Sequence, residues 1–421
     1  MSAFFRLGVK TQSYEWGRFG LDSKAAALAS ADESFTVSAS QPYAELWMGT
    51  HPNAPSVVYG SNPSQLLGAT LSDAILGADI AQRFGGDLPF LFKVLSINKA
   101  LSIQAHPDKA LAQRLFAEFP QLYKDNNHKP EMAVALTPFE ALIGFRALSE
   151  IRSNLTSYPE FATAVGPTAA SFLGHTNDAD KTTSKAALKA LFTALMHADV
   201  ARVETQIRAL VARISVQLQQ KQFTALDELL VRLDSQFPND VGVFCALLLN
   251  FVKLDEGDAI FLAANEPHAY ISGDCIECMA ASDNVVRSGL TPKFKDVATL
   301  VEMLTYNHGP ADDQILKGDA YKGTSKTSLL YDPPIEEFSI IRTALSATVA
   351  ESEVFDGLDG PSILIVTEGA GTIVVDGVEH EAGFGFVFFV GANVGIELKS
   401  KAVLGDEYLL PSKKGSCEAE M

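Results

Sequence analysis

Cysteine, positive charge and long apolar runs are all in short supply here, and each shortage removes a class of function. Four cysteines, Cys245, Cys275, Cys278 and Cys417, are spread over 421 residues. That is too few to staple a chain of this length, and it fits a reducing compartment. The sequon Asn154-Leu155-Thr156 is then expected to stay unglycosylated. Lys and Arg total 33 against 51 Asp and Glu, a formal charge of −18. Nucleic acid and anionic membranes are excluded as partners, because both are gathered by a long-range positive field. A small anionic substrate stays open, provided Lys and Arg cluster locally in a cleft. No apolar run reaches the ~18 residues of a membrane span, and the opening MSAFFRLGVKTQSYEWG has no signal-peptide core. The chain reads as cytoplasmic. What is present, 47% hydrophobic and 20% charged residues, describes a globular protein of two or three domains. A monomer is the default.

Residues 1–148 alternate Gly, Pro and short apolar runs such as LPFLFKVLS and EMAVALTPFEALIGF, at lengths suited to strands of a barrel or sandwich. The period then changes. Over 149–240, Leu188, Leu191, Phe192 and Leu195 mark one helix face, and Val203, Ile207, Leu210, Val211, Ile214 and Leu218 mark another. Leu226, Leu229, Leu230 and Leu233 predict a third helix, closed by Phe237-Pro238. Residues 241–325 resume the β pattern, with Glu256-Gly257-Asp258 as a turn between apolar strands, so the first β domain continues past a helical insert. From 326 to 421, Gly371, Gly377, Gly383 and Gly391 punctuate alternating strands of a small jelly roll, with a polar tail expected to fray.

Three segments carry ligand-type residues. In LSIQAHPDK, Gln104 and His106 lie at i and i+2, so both leave one face of a strand. In NHKPEMAVAL, Glu131 opens an apolar run, where a buried carboxylate needs a partner or a metal, with His128 and Lys129 just outside. In FLAANEPHAYISGD, His268 follows a strand end, where small barrels open their ligand sites. Each alone reads as a satisfied polar residue; three strand ends offering ligands favour one shared metal. His51 is a weaker alternative ligand. Cys275-Ile276-Glu277-Cys278 has CxxC spacing, but no second pair exists and a strand turns the two sulfurs to opposite faces. Glu277 shares a face with Cys275 and is expected to point into a functional cavity. SDNVVRSGLTPKFKDV then gathers Asp283, Arg287, Lys293 and Lys295 close after His268, the local positive cluster a phosphate needs.

With these segments in view, the chain resembles the type I phosphomannose isomerases, zinc enzymes of the cupin superfamily. The resemblance rests on ELWMGTHPNAPS, LPFLFKVLS, LSIQAHPDK, NHKPEMAVALTPFEALIGFR, and the run from LLLNFVKL through NEPHAYISGDCIECMAASDNVVRSGLTPKFKDV. In the insert and the C-terminal region it holds in position and pattern only. It implies a mainly β fold of cupin-type jelly-roll barrels, with a catalytic β domain, an α-helical domain and a C-terminal β domain. It implies one Zn²⁺ held by Gln104, His106, Glu131 and His268, with Arg287 as an essential active-site arginine. Lys129, Glu277, Asp283 and Lys293 match positions for proton transfer or substrate binding. Trp16, Glu45, Lys93, Ser102 and Tyr270 match pocket-lining positions. Lys99-Ala100 stands where many relatives carry a Pro, which leaves the ligands untouched.

The implied reaction interconverts mannose 6-phosphate and fructose 6-phosphate through an enediol, feeding mannose into GDP-mannose and glycan synthesis. One carboxylate and three neutral ligands leave zinc a net positive centre, which a Cys-rich site would neutralise. Either Lys129 or Glu277 could be tuned to carry the proton, with Lys129 slightly favoured. Arg287 either holds the phosphate or stabilises the enediolate. Two other readings stand beside this one. Two His and a carboxylate also resemble the triad of iron oxygenases, against which Gln104 argues. A non-catalytic sugar-binding cupin is the other, and the C-terminal jelly roll, with His380 but no companion ligands, is expected to bind no metal.

Overall fold

In the computed structural model, which describes residues 3–323, 325–346, 350–401 and 406–412, three apolar strands set the frame of the catalytic region. Phe90–Ile97 and Glu131–Ala135 pair antiparallel with the two edges of the long strand His268–Ala280. All three are buried almost throughout, so they read as continuous apolar runs, yet the period of two still sorts their side chains. Phe92, Val94, Met132, Val134, Ile276 and Cys278 enter one core; Leu95, Ile97, Ala133, Ala135 and Cys275 enter another. The second core is the interior of a barrel. Lys93, Glu131 and Glu277 each lie two residues from a member of that core and therefore face the same interior. The two cysteines part company as a strand requires.

The barrel closes because His268–Ala280 bends at Gly273, whose φ is +112°. Before the bend the strand pairs with Phe139–Phe145 and, at His268, with Gln104; after it, with Phe90–Ile97 and Glu131–Ala135. A Cβ at Gly273 would stand 2.6 Å from the Pro138 carbonyl and 2.8 Å from the Phe139 Cα, so only glycine fits. Leu249–Leu254 and Ala259–Leu262 flank Glu256-Gly257-Asp258 as expected, but they do not pair with each other. Leu249–Leu254 joins Phe139–Phe145, and Ala259–Leu262 joins Glu131–Ala135. The turn is a corner between two halves of the barrel, held where the Gly257 N–H donates to Ala135 and its carbonyl accepts from the Tyr331 hydroxyl.

The insert is all helix. Lys181–Met196, Val200–Gln219 and Ala225–Gln236 bury most of the apolar stripes read from the sequence, leaving Val211, Leu218 and Leu226 only partly covered. Asp180 and Asp199 cap the first two, and Thr224 with Asp227 forms a capping box on the third. Three shorter helices, Leu148–Ser157, Pro159–Val165 and Pro167–Gly174, precede them. Their prolines sit at helix starts, where no N–H is lost. The first 148 residues also contain a helix, Lys109–Glu118, capped by Asp108.

The C-terminal region is a sandwich. Ser339–Leu345, Ser362–Glu368 and Val387–Val390 belong to one sheet; Ala370–Val375, Val378–Gly383 and Ile396–Ser400 belong to the other. Ile341, Leu364, Ile373, Phe388 and Leu398 fill the space between. The N-terminal strand Phe4–Gly8 pairs with Val387–Val390 in the first sheet. That sheet's other face, with Ile340, Ile363, Ile365 and Phe389, packs on Phe92, Val94, Met132 and Ile276 of the barrel. His380 lies on the strand Val378–Gly383 with its ring 4.8 Å from that of Phe4. No described helix is long and apolar enough to cross a membrane. The expected frayed tail and Cys417 fall outside the described residues, save the strand Asp406–Ser412.

Candidate active site

Where the barrel strands converge, His106, Glu131 and His268 bring their ligand atoms within 4.8 Å of one another. The Nε2 atoms of His106 and His268 both lie 3.4 Å from Glu131 Oε2. All three residues are at most 2% exposed, and among the described residues none of these three atoms has a hydrogen-bond partner. Three orphaned buried acceptors in one place cost several kcal/mol together unless something binds them. A cation fits. The histidines are aimed from behind: His106 Nδ1 donates to the Asn284 carbonyl at 2.7 Å, and His268 Nδ1 to that of Glu266 at 3.1 Å. Each ring thus turns its Nε2 inward. Burial pushes His106 down to about 4, despite Glu131, so its imidazole is neutral at physiological pH.

Gln104 is the cross-strand partner of His268 on one side and of Arg287 on the other. Directly opposed residues share a face, so Gln104 is presented beside the triad. Lys129 Nζ sits 3.0 Å from the other Glu131 oxygen. Burial resists the charge of Glu131, but Lys129 and His106 outweigh it and hold the carboxyl well below its usual range.

Deeper in the barrel is a chain of buried charge. Lys93 Nζ lies 3.1 Å from Glu277 and 3.7 Å from Glu45, and Glu45 also accepts from the Trp47 indole N–H. Burial works against the Lys93 ammonium, yet the carboxylates, Glu45 first, raise its pKa overall. Burial lifts Glu277, with Lys93 pulling the other way and the net still upward. The Tyr270 hydroxyl is buried without a hydrogen-bond partner among the described residues, two residues along the strand from His268. Arg287 is about half buried, and burial alone lowers its pKa; among the described residues no carboxylate pairs with it. An unpaired arginine half out of water is a receptor for an anion.

The remaining candidates are more peripheral. Trp16 packs at the rim of the interior core, stacked on Tyr14 at 5.8 Å. Ser102 immediately precedes the strand Ile103–Ala105. Asp283 and Lys293 are exposed, Asp283 being tethered through its N–H to Asp125. Lys295 leans on Asp240 at 3.8 Å.

Comparison with known proteins decides the family. Models of the catalytic, helical insertion and C-terminal domains of type I phosphomannose isomerase match residues 4–148, 164–249 and 328–378. Mannose-6-phosphate isomerase from Emericella nidulans is 47% identical, over 96% of this chain and 94% of that protein. The one from Saccharomyces cerevisiae is 46% identical, over 94% of this chain and 96% of that protein. The chain belongs to the type I phosphomannose isomerase family. A solved phosphomannose isomerase variant from Salmonella typhimurium superposes with a TM-score of 0.82 at 30% identity, covering 98% of this chain and all of that one. A zinc-bound mannose 6-phosphate isomerase structure gives 0.80 at 29% identity, with 98% and 100% coverage.

Sequence reasoning missed the groups that orient the candidate metal-binding histidines. Asn284 supplies the carbonyl for His106, and its side-chain amide is itself held by the Asp125 carboxylate and the carbonyls of Asp125 and Asn127. Backbone carbonyls carry no residue-type signature. The one usable signal is that SDN comes one residue after a barrel strand, as a loop that must turn back toward the barrel mouth would.

Proposed function

We propose that the chain is a zinc-dependent aldose–ketose isomerase that interconverts mannose 6-phosphate and fructose 6-phosphate in the cytoplasm, supplying mannose for GDP-mannose and glycan synthesis. The observation that carries this reading is the convergence of three unpartnered buried ligand atoms in a barrel interior, one strand from an unpaired arginine. His106, Glu131 and His268 would hold zinc, with Gln104 as fourth ligand. Bound there, zinc supplies a Lewis acid that polarises the sugar oxygens without redox side chemistry.

The rest of the work belongs to the chain. Arg287 receives the phosphate, because a half-buried guanidinium without a carboxylate is ready for a dianion. Lys293, exposed at the end of the same segment, adds charge at the entrance. Proton transfer between C1 and C2, through an enediol, needs a base tuned towards neutrality. Of the two candidates Lys129 is taken up by Glu131, 3.0 Å away and itself one of the metal-facing residues, whereas burial raises the carboxyl of Glu277. Glu277 is therefore the base in this reading, with Lys93 and Glu45 behind it and the Tyr270 hydroxyl free to orient the sugar. Trp16 and Ser102 line the entrance, and Asp283 lies at its rim.

Mannose 6-phosphate offered to the purified protein, with fructose 6-phosphate followed by a coupled assay, tests the reading. Conversion that disappears in Glu277→Gln is expected. Purified protein that carries iron, consumes oxygen and leaves the sugar phosphate unchanged would sink it.

A further inference from the structure

We infer that Asp240, at the end of the helical insert, is a positioning residue for Arg287: it clamps the strand that presents the arginine. The inference rests on the reading of Arg287 as the substrate's anion receptor. Among the described residues the strand Val286–Gly289 pairs on one edge only, with the three-residue Ile103–Ala105, and its register slips between Arg287 and Gly289. So short and irregular a ladder does not by itself hold an arginine in place. The next residue, Leu290, is 1% exposed and has a φ of +53°, a left-handed conformation that a leucine keeps only when held from outside.

The hold comes from the insert. Asp240 Oδ1 accepts from the Leu290 N–H at 2.6 Å and from the Gly242 N–H at 2.7 Å. Its Oδ2 accepts from Thr291 at 3.4 Å and lies 3.8 Å from Lys295 Nζ. One carboxylate thus joins the insert's last turn to the two residues after the strand. Backbone packing reinforces the bond: a Cβ at Gly289 would meet the Gly242 Cα at 2.5 Å, and one at Gly242 would meet the Leu290 nitrogen at 2.5 Å. Ser288, pointing opposite to Arg287, touches the Cys245 sulfur at 3.5 Å and that of Met196 at 3.6 Å, both outside the barrel. The strand shows Arg287 to the pocket and its other face to the insert. A helical insertion that carries none of the ligands thereby sets the position of a substrate-binding group.

The test is a double-mutant cycle on the full-length zinc-loaded protein, with Asp240→Ala, Arg287→Ala and the pair, reading kcat, KM and zinc content. Asp240→Ala is expected to lower kcat/KM for mannose 6-phosphate by roughly ten- to a hundredfold, since displacing a positioning group by about 1 Å costs that much, mostly through KM and with zinc content unchanged. The double variant is expected to be no worse than Arg287→Ala, because both remove one interaction. Asp240→Asn keeps the acceptor for Leu290 but turns an amide towards Thr291 and Lys295, and should fall in between. Should Asp240→Ala not fold, the cycle is run with Asp240→Asn, and a wild-type KM there overturns the clamp. Losses that multiply in the double variant overturn it too, as does a wild-type KM in folded Asp240→Ala. Wild-type kinetics in Arg287→Ala would instead remove the reading of Arg287 on which the clamp stands.

Discussion

Glu277 is buried at 4% exposure among apolar strands, and the cost of that burial raises its pKa against the pull of Lys93 and Lys129. A base must be unprotonated to act, so activity should fall as pH drops through the Glu277 pKa, which lies above the ordinary 4.5. The expected profile of kcat/KM has an acidic limb displaced upward from the usual carboxylate range. Glu277→Gln should lose about 10²- to 10⁴-fold in kcat while retaining its zinc; a fully active Glu277→Gln would return the role to Lys129. At this scale much was legible in the sequence. His106, Glu131 and His268 stood out because a charge or imidazole beside an apolar strand needs a reason to be there. Which partner each of Lys129 and Glu277 takes was not legible, because the 3.0 Å contact of Lys129 with Glu131 and the 3.1 Å contact of Lys93 with Glu277 depend on which strands neighbour each other.

Two elements place these residues. The loop from Ser282 to Asn284 is knotted to Asp125, which accepts from the Ser282 hydroxyl, the Asp283 N–H and the Asn284 amide. Through the Asn284 carbonyl it fixes the His106 ring. Asp125→Ala should therefore weaken zinc binding by about 10- to 100-fold, measurable by chelator competition, although Asp125 is not a ligand. The second element is the bend at Gly273. Gly273→Ala should destabilise the protein by about 1–3 kcal/mol in denaturant unfolding, because both its φ and the Pro138 carbonyl exclude a side chain. The sequence showed apolar strands here but not the bend. A period of two marks the faces of a strand, not the residue at which it passes from one sheet to the other. For the same reason the turn at Gly257 was legible as a turn between strands, but not as a corner whose two strands pair elsewhere.

Across the whole molecule, the C-terminal sandwich and the barrel share one core, and polar contacts lock its edge. His128 Nε2 lies 2.5 Å from Glu337, joining the loop before Glu131 to the C-terminal region. Burial opposes the Glu337 charge, but the bond from His128 outweighs it and holds the carboxyl below its ordinary 4.5. A depressed folded-state pKa contributes stability that is complete above the unfolded value and lost as pH falls through the folded one. Thermal unfolding of the wild type should therefore lose more between about pH 5 and pH 3 than that of Glu337→Gln. The three-part layout was visible as changes of period, but the seating of Phe4–Gly8 in the C-terminal sheet was not, since pairing across nearly the whole chain leaves no local trace. The zinc-dependent isomerase itself is tested most directly by stripping the protein with a chelator and titrating zinc back while following conversion of mannose 6-phosphate. Activity should vanish with the metal and return in full at one zinc per chain. Turnover indifferent to demonstrated loss of the metal would contradict the account.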